Sequence, residues 1–198
     1  MSVEYTVKTP VRVAFLQVIE PRLNTMNGKE EYSVTLMIPK SDTKLVAEIK
    51  AAIQKALVEF TPKFKNGTVP NRWKNPLRDA DDPNDRDDMA MGEKYAEFAG
   101  HYYLRAKKDA LRGAPGVFDT GNQRVTGPGQ VKSGDWMFAV ISLYGFNQSG
   151  NQGIAAGLNG LKLARSGEAF AMTDNDGGAI MADLSDPSVT SDGVESIL

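Results

Sequence analysis

The sequence of 198 residues predicts a small, strongly curved β-barrel that carries one long helix. Several short segments alternate apolar with polar residues, which is the pattern of half-buried strands. One segment, 41–60, instead repeats apolar residues at three- and four-residue spacing, as an amphipathic helix does. The short connections favour antiparallel neighbours, and no strand–helix–strand unit repeats.

The first two strands are predicted to form an antiparallel hairpin. Residues 6–16 and 31–39 alternate in side-chain polarity, and Pro10 suits an edge or a bend. An Asn-Gly pair lies between them at positions 27 and 28. Such a pair accepts the positive φ of a tight turn, so the two segments are expected to pair with each other.

The segment 41–60 is predicted to be the helix, with Ser41 as its N-cap and Asp42 at the positive end of the helix dipole. Its apolar stripe predicts that one face covers the barrel. The stripe consists of Leu45, Val46, Ile49, Ala52, Ile53, Ala56, Leu57 and Phe60.

A long irregular connection is expected from 61 to 97, because prolines and glycines interrupt every periodic pattern there. Trp73 in this connection either fastens the loop to the core or offers a flat surface to a ligand. Further strands are predicted at 98–107, 116–119, 135–146 and 154–165. Residues 135–146 are apolar on both faces, so the sequence leaves open whether Trp136 and Phe138 face the core.

The composition excludes several classes of function. The chain has no cysteine and one histidine, which excludes disulfides, thiolate metal sites, cysteine nucleophiles and histidine-rich metal sites. We predict neither a metal nor a cofactor. No apolar run approaches the roughly 18 residues that a bilayer span needs, and the N-terminal residues lack a signal pattern. The sequence therefore predicts a protein that works inside the cell that makes it, without a membrane partner.

The formal net charge of −2 conceals a strong asymmetry along the chain. All 23 Lys and Arg residues lie at or before Arg165, together with 18 of the 25 acidic residues. The stretch 166–198 holds seven acidic residues and no basic one. We predict a folded domain at 1–166, with a basic surface suited to a polyanion, and an acidic flexible tail at 167–198.

The stretch GHYYLRAKKD, residues 100–109, divides into two sets if it is a strand, because side chains alternate between the faces. One set is apolar: Tyr102, Leu104 and Ala106. The other combines rings with cations: His101, Tyr103, Arg105 and Lys107. The second set is either an ordinary solvated face or a surface for single-stranded nucleic acid, whose phosphates attract cations and whose bases stack on rings. Other cations that extend this track are Arg12, Lys108, Arg112, Arg124 and Lys132.

Two other classes of function stay open on the sequence alone. Clustered carboxylates at 79–88 are able to hold Mg²⁺ and to assist phosphodiester cleavage in a metal-dependent nuclease. Their spacing does not match a calcium-binding EF-hand loop, and a solvated, mobile acidic loop is the favoured explanation of the cluster. The cluster comprises Asp79, Asp81, Asp82, Asp85, Asp87 and Asp88. The second alternative is a phage structural or adaptor protein whose basic face binds another protein.

Four segments carry a family resemblance, and they occur in family order between residues 6 and 170: EYSVTLMIPKSDTK, NPLRDADD, GHYYLRAKKD and SLYGFNQSGNQGIAAGLNGLKLARSGE. They resemble the bacteriophage single-stranded DNA-binding proteins with an OB-fold core, a family long catalogued as being of unknown function. The resemblance implies an OB barrel that binds single-stranded DNA without regard to sequence and without enzymatic activity. It implies a role in phage DNA replication, recombination or repair, in the cytoplasm of the infected bacterial host.

The resemblance also implies particular DNA contacts. His101, Tyr103 and Arg105 would contact DNA from one barrel strand, and Tyr144 and Phe146 would stack on bases. From the residue pattern we add four further candidate contacts: Arg12, Trp73, Lys107 and Arg112. A homo-oligomer is compatible with the sequence.

The acidic tail has two interpretations, a solubilising terminus or a docking segment for phage or host replication proteins. Similar tails in proteins of this kind dock partners and compete with DNA for the basic groove. The residues predicted to contact a partner are Asp192, Glu195, Ile197 and Leu198.

If the tail competes with DNA, a chain that ends at Phe170 should bind single-stranded DNA more tightly than the full chain at low salt, because the competing carboxylates are gone. Fluorescence titration of a labelled oligothymidine measures the difference. Equal affinities of the two chains at low salt would contradict competition by the tail.

Overall fold

The structure is a computed structural model that describes residues 2–25, 28–84, 90–148 and 151–170. These residues form seven strands and two α-helices, joined by short 3₁₀ turns. In chain order they are β1 (Val3–Asn24), β2 (Lys29–Pro39), α1 (Thr43–Phe60), β3 (Leu77–Asp79), α2 (Met91–Lys94), β4 (His101–Asp109), β5 (Gly116–Phe118), β6 (Trp136–Gln148) and β7 (Asn151–Arg165).

Five of the strands close into a barrel. Strand β1 pairs antiparallel with β2 and with β6, β2 pairs antiparallel with β4, and β6 with β7. A short parallel pairing of β4 with β7, at Ala106 and Ala156, closes the circle. The two short strands extend the sheet, β3 beside β4 and β5 beside β7. The predicted barrel of OB type with one long helix is confirmed.

The predicted hairpin of β1 and β2 is also confirmed, although β1 is longer than expected. Its pairing with β2 shifts register twice, between Ala14 and Gln17 and between Gln17 and Arg22. Such bulges increase the bend and twist of a strand. They allow one strand of 22 residues to curve around the barrel instead of running out of it.

Helix α1 begins at Thr43, and its N-cap is Asp42, so the prediction of Ser41 was wrong. The Asp42 carboxylate accepts a hydrogen bond from the Leu45 backbone N–H at 3.0 Å, which satisfies one of the free donors of the first turn. The predicted stripe is buried at six positions: Leu45, Val46, Ile49, Ile53, Ala56 and Leu57. At its end the Phe60 ring lies where a Cβ of residue 145 would be, so only glycine fits at Gly145 of β6.

The main core lies inside the barrel and beneath α1. Strand β6 contributes Met137, Ala139, Ile141 and Leu143, all buried. The opposite side chains of β6 therefore face outward, which answers the question that the sequence left open. Trp136 and Phe138 are half-buried and lie outside both apolar core clusters.

A second apolar cluster, here called the outer cluster, lies on the outside of β1, β2 and β4. It comprises Ala14, Met37, Ala80, Met91, Phe98 and Tyr103. Tyr103 is only 3% exposed, so its expected position on a solvated face was wrong. Its side chain does point away from the barrel interior, but the segment from β3 to β4 folds over it. Tyr102, expected in the core, is half-buried and packs on the main core.

The connection 61–97 is more ordered than its sequence indicated, because it contains β3, α2 and three 3₁₀ turns. Trp73 is half-buried against the main core, as expected of a residue that fastens the loop. Lys40 holds the end of β3 and the residues just after it. Its ammonium group forms ion pairs with Asp79 and, at 2.7 Å, with Asp81. Asp81 also accepts the Gly100 backbone N–H.

Residues 167–170, which the predicted boundary places in the tail, contact the barrel. The buried Asp135 carboxylate accepts hydrogen bonds from the Gly167 N–H at 3.0 Å and from the backbone and Nζ of Lys132. Arg12 donates to the carbonyls of Gly134 and Glu168. The predicted partner contacts Asp192, Glu195, Ile197 and Leu198 lie outside the described residues. Within the described ranges, no helix is both long and apolar enough to cross a bilayer.

Asp135 makes stability depend on pH. Burial alone would raise the pKa of Asp135, but the hydrogen bonds from Lys132 and Gly167 outweigh it, and the pKa is lowered. The contribution of Asp135 is therefore present above the unfolded pKa of about 3.9 and is lost as the pH falls through the folded pKa. We expect Asp135→Asn to lower the free energy of unfolding by roughly 1–3 kcal/mol at neutral pH, and by less as the solution is acidified below about pH 3.9. Urea unfolding across this range measures it; a pH-independent difference would contradict the assignment.

Burial of Tyr103 gives a second prediction. Tyr103→Ala should lower the free energy of unfolding by roughly 3–5 kcal/mol, because it opens a cavity in the outer cluster. Tyr102→Ala, in the adjacent and more exposed position, should cost less. Chemical denaturation of the two variants tests the order, and a larger loss for Tyr102→Ala would restore the assignment made from the sequence.

Candidate nucleic-acid interface

A groove of about 780 Å³ crosses the outer surface of the barrel where β1, β2 and β4 lie side by side. Among its described lining residues are five cations: Arg22, Arg78, Lys94, Arg105 and Lys107. Glu31 is the single carboxylate among the described lining residues. Four aromatic residues also line it: Phe15, Tyr95, Tyr103 and Tyr144. Cations and rings therefore meet in one concave surface.

The floor of the groove is built from outward-facing residues of β2 and β4. Cross-strand pairing places Thr35 opposite Arg105 and Ser33 opposite Lys107. Both hydroxyl residues are buried, whereas Arg105 is exposed. Short side chains on β2 thus leave room above the floor, and the longer cationic side chains of β4 border that room.

Glu31 positions Lys107. The Lys107 ammonium group lies 2.8 Å from the Glu31 carboxylate, and the Asn24 amide donates to the same oxygen at 2.9 Å. The pairing offsets part of the Lys107 charge.

One end of the groove is aromatic. The ring centre of Phe15 lies 5.3 Å from that of Tyr95, in an edge-to-face arrangement, and 6.0 Å from that of Phe98. The ring centre of Phe98 lies 5.9 Å from that of Tyr103. Tyr103 is buried within this group, with the Arg78 guanidinium 5.9 Å from its ring centre. Phe15 and Tyr95 are half-buried, so these two rings are the ones presented at this end.

Phe15 holds an unusual backbone conformation at this place. Its φ is +49°, in the left-handed region that bulky residues rarely adopt, and it lies within the first bulge of β1. Strain of this kind persists only where the surroundings fix it, and it concentrates at binding sites. The bulge turns Phe15 out of the barrel, into contact with the outer cluster.

Tyr144 marks the other end of the groove. It is 40% exposed and stands beside Gly157 of β7, where a Cβ would lie 3.4 Å from the ring. Burial of the hydroxyl raises the pKa of Tyr144, Arg112 opposes the rise and Glu31 adds to it. The phenol is therefore neutral at physiological pH and does not repel a phosphate.

The structure brings only part of the predicted set into the groove: Tyr103, Arg105, Lys107 and Tyr144. The exposed Arg112 is close enough to Tyr144 to affect its titration but does not line the groove. The other four predicted residues lie elsewhere: Arg12, Trp73, His101 and Phe146. Whether any of the nine contacts DNA stays a prediction.

The reasons for those four positions differ. Trp73 packs against the main core and does not line the groove. The Arg12 guanidinium stacks 4.0 Å above the Phe170 ring and bonds to two carbonyls, so the C-terminal segment occupies it. His101 begins β4, with Nδ1 2.8 Å from the Ala99 carbonyl oxygen. Phe146 lies opposite Gly153, beyond Tyr144 along β6.

Sequence reasoning missed five lining residues: Phe15, Arg22, Arg78, Lys94 and Tyr95. One signal was present, because Lys94 and Tyr95 repeat the combination of cation and ring found in GHYYLRAKKD. In the fold the Lys94 ammonium group lies 5.4 Å from the Tyr95 ring centre. No such signal marks Phe15, whose sequence neighbours are those of an ordinary strand.

The described carboxylates near residue 79 serve a structural arrangement. Asp79 and Asp81 share the Lys40 ammonium group, which, with the Gly100 N–H, lowers the pKa of Asp81. Within the ranges that the structure describes, no three His, Asp or Glu side chains converge as metal ligands would. Asp85, Asp87 and Asp88 of the predicted cluster lie outside those ranges.

Comparison with known proteins agrees with this architecture. Residues 4–181 match the sequence profile of the family described as Enterobacter phage Enc34, ssDNA-binding protein. The chain is 31% identical over 166 residues to "Putative protein p50" of Acyrthosiphon pisum secondary endosymbiont phage 1, covering 81% of this chain and 83% of that one.

Two solved structures share the fold. The single-stranded DNA-binding protein from bacteriophage Enc34 in complex with ssDNA superposes with a TM-score of 0.67 at 18% identity, over 86% of this chain and 90% of that chain. Gp2.5, a single-stranded DNA binding protein encoded by bacteriophage T7, gives a TM-score of 0.58 at 14% identity, over 97% and 100%. The family profile spans nearly the whole chain, and the protein therefore belongs to the family of the Enterobacter phage Enc34 ssDNA-binding protein.

Proposed function

We propose that this chain binds single-stranded DNA without regard to sequence during phage DNA replication, and that the groove is its binding surface. The observation that carries the proposal is the convergence of five cations and four aromatic residues in one groove of an OB-type barrel. Family membership and the fold shared with phage single-stranded DNA-binding proteins support it. Roles in recombination and repair, and action in the cytoplasm of the infected host, are part of the same proposal.

Affinity comes from the cations. Arg105, Arg78, Lys94 and Arg22 are placed along the groove, where they attract the phosphate backbone and displace its counterions. Each phosphate contact lowers the logarithm of the affinity by about 0.7 for each tenfold rise in salt concentration. Binding is therefore expected to weaken steeply with salt.

Preference for the single strand comes from the rings. Tyr144 at one end and Tyr95 at the other are available to stack on bases whose faces a duplex would hide. Every base has a flat face, so stacking does not depend on the sequence. The buried hydroxyls of Ser33 and Thr35 leave the middle of the floor low enough for a strand to lie between the two ends.

Binding of this kind needs no metal, cofactor or covalent step, and we assign no catalytic role to any residue. The acidic tail is proposed to dock phage or host replication proteins. The rival function is the metal-dependent nuclease, which would use the carboxylates at 79–88.

The decisive experiment is a titration of labelled oligothymidine and of a matched duplex, at several salt concentrations, with and without Mg²⁺. We expect tight, salt-sensitive binding of the single strand and much weaker binding of the duplex. Equal binding of both would refute the proposal, and strand cleavage that requires Mg²⁺ would favour the nuclease.

Two variants test the groove itself. Tyr144→Ala should weaken binding by roughly 1–3 kcal/mol, because a stacking ring is lost, while Tyr144→Phe keeps the ring and should bind nearly as the unchanged chain does.

Arg105→Ala should reduce the magnitude of the salt slope by about 0.7, the value of one phosphate contact. Lys55→Ala, at an exposed position of α1, is the matched control for loss of a cation. An Arg105→Ala variant that behaves like Lys55→Ala would remove Arg105 from the interface.

A further inference from the structure

A second surface that joins rings and cations lies outside the groove, on the outer side of β5, β6 and β7. Strand pairing places Lys162 of β7 between Phe138 of β6 and Phe118 of β5. Trp136 of β6 pairs with Arg165 of β7, whose guanidinium lies 4.1 Å from the indole ring centre. These five residues are here called the β6–β7 face.

Their orientation follows from the burial of their neighbours. Met137 and Ala139, which flank Phe138, are buried in the barrel, and so is Val117 beside Phe118. The outward aromatic residues pack against neither apolar cluster, and Phe118 is 36% exposed. Phe118 is exposed and Phe138 is half-buried, so both rings keep part of their surface available for stacking.

The charge of the face is positive. Among the described residues, neither Lys162 nor Arg165 forms an ion pair with a carboxylate. The same is true of Arg124, whose backbone forms an isolated antiparallel β-bridge with Phe118. The nearby Asp119 carboxylate accepts the Gln123 backbone N–H within its own turn. The face therefore offers cations whose charge no described protein carboxylate neutralises.

The face is continuous with the groove through Tyr144. The outward row of β6 runs from Trp136 to Tyr144, and Tyr144 lies six positions beyond Phe138, a distance of about 20 Å along a strand. Between them, the β7 residues paired with Ser142 and Val140 are Gly157 and Gly160, which carry no side chain. Glu4 of β1 borders this path and is held by the Asn159 amide at 3.2 Å.

We infer that the β6–β7 face is a second contact surface for single-stranded DNA, which receives the strand where it leaves the groove at Tyr144. This inference rests on the proposed function of the groove. A polyanion complements unpaired cations, and its bases stack on rings that lie beside them. A second copy of the chain is a poorer partner, because a symmetric contact would bring the same cations together.

The test compares oligothymidines of two lengths, one of about 6 nucleotides that fills the groove and one of about 25 that extends beyond it. The full chain is used with Lys162→Glu, with Phe138→Ala, and with Lys44→Glu on the exposed side of α1 as a control of equal charge change. Lys162→Glu and Phe138→Ala should each weaken binding of the long oligomer by about fivefold or more and leave the short one within about twofold. The control should change neither.

The outcomes separate the two proposals. No binding of either length by the unchanged chain refutes the groove and the face together. Normal binding with no effect of Lys162→Glu and Phe138→Ala, or an equal loss at both lengths, overturns the face alone. Tighter DNA binding by Lys162→Glu would mean that the face holds the acidic tail. A lower sedimentation coefficient of the variants, with unchanged DNA affinity, would mean that the face joins two copies of the chain. Either result overturns the inference.

Discussion

The pairing of β4 along both of its edges is the constraint on which the rest of the structure depends. One edge joins β2 over nine residue pairs, and the other joins β3 and then β7. The contact with β7 closes the barrel, and the contact with β3 brings in the segment that walls the groove. Because β4 is fixed on both sides, Leu104 and Ala106 face the core while Arg105 and Lys107 face the groove.

The segment between β3 and β4, which borders the groove, is held in place more by packing than by charge. Lys40 bonds to Asp79 and Asp81, but these groups are partly exposed, and ion pairs of that kind contribute about 0–1 kcal/mol each. Phe98 and Tyr103 are almost completely buried, and burial of an aromatic side chain contributes about 1.5–3 kcal/mol or more. The outer cluster thus fixes the segment between β3 and β4, and with it the positions of Lys94 and Tyr95.

Carboxylates near the binding surfaces are themselves bound by other groups, which preserves the positive character of those surfaces. Glu31 bonds to Lys107 and Asn24, and Asp135 is satisfied by Lys132 and Gly167. Net charge therefore says little about this chain. The formal value is −2, yet the part that forms the barrel carries an excess of cations.

The sequence by itself determined the five barrel strands, the long helix and the row Tyr103, Arg105 and Lys107, because strand alternation and helical spacing are local properties of the chain. Its segments also identified the family, which the profile match bears out. Only the tertiary structure decided what covers each face. Tyr103 is buried in a cluster with Phe98 and Met91. Arg12 donates hydrogen bonds to the carbonyls of Gly134 and Glu168, which are far away along the chain. Phe15 packs against Tyr95 from a distant segment. Periodicity tells which side of a strand a residue is on, but it carries no information about which distant segment packs against that side.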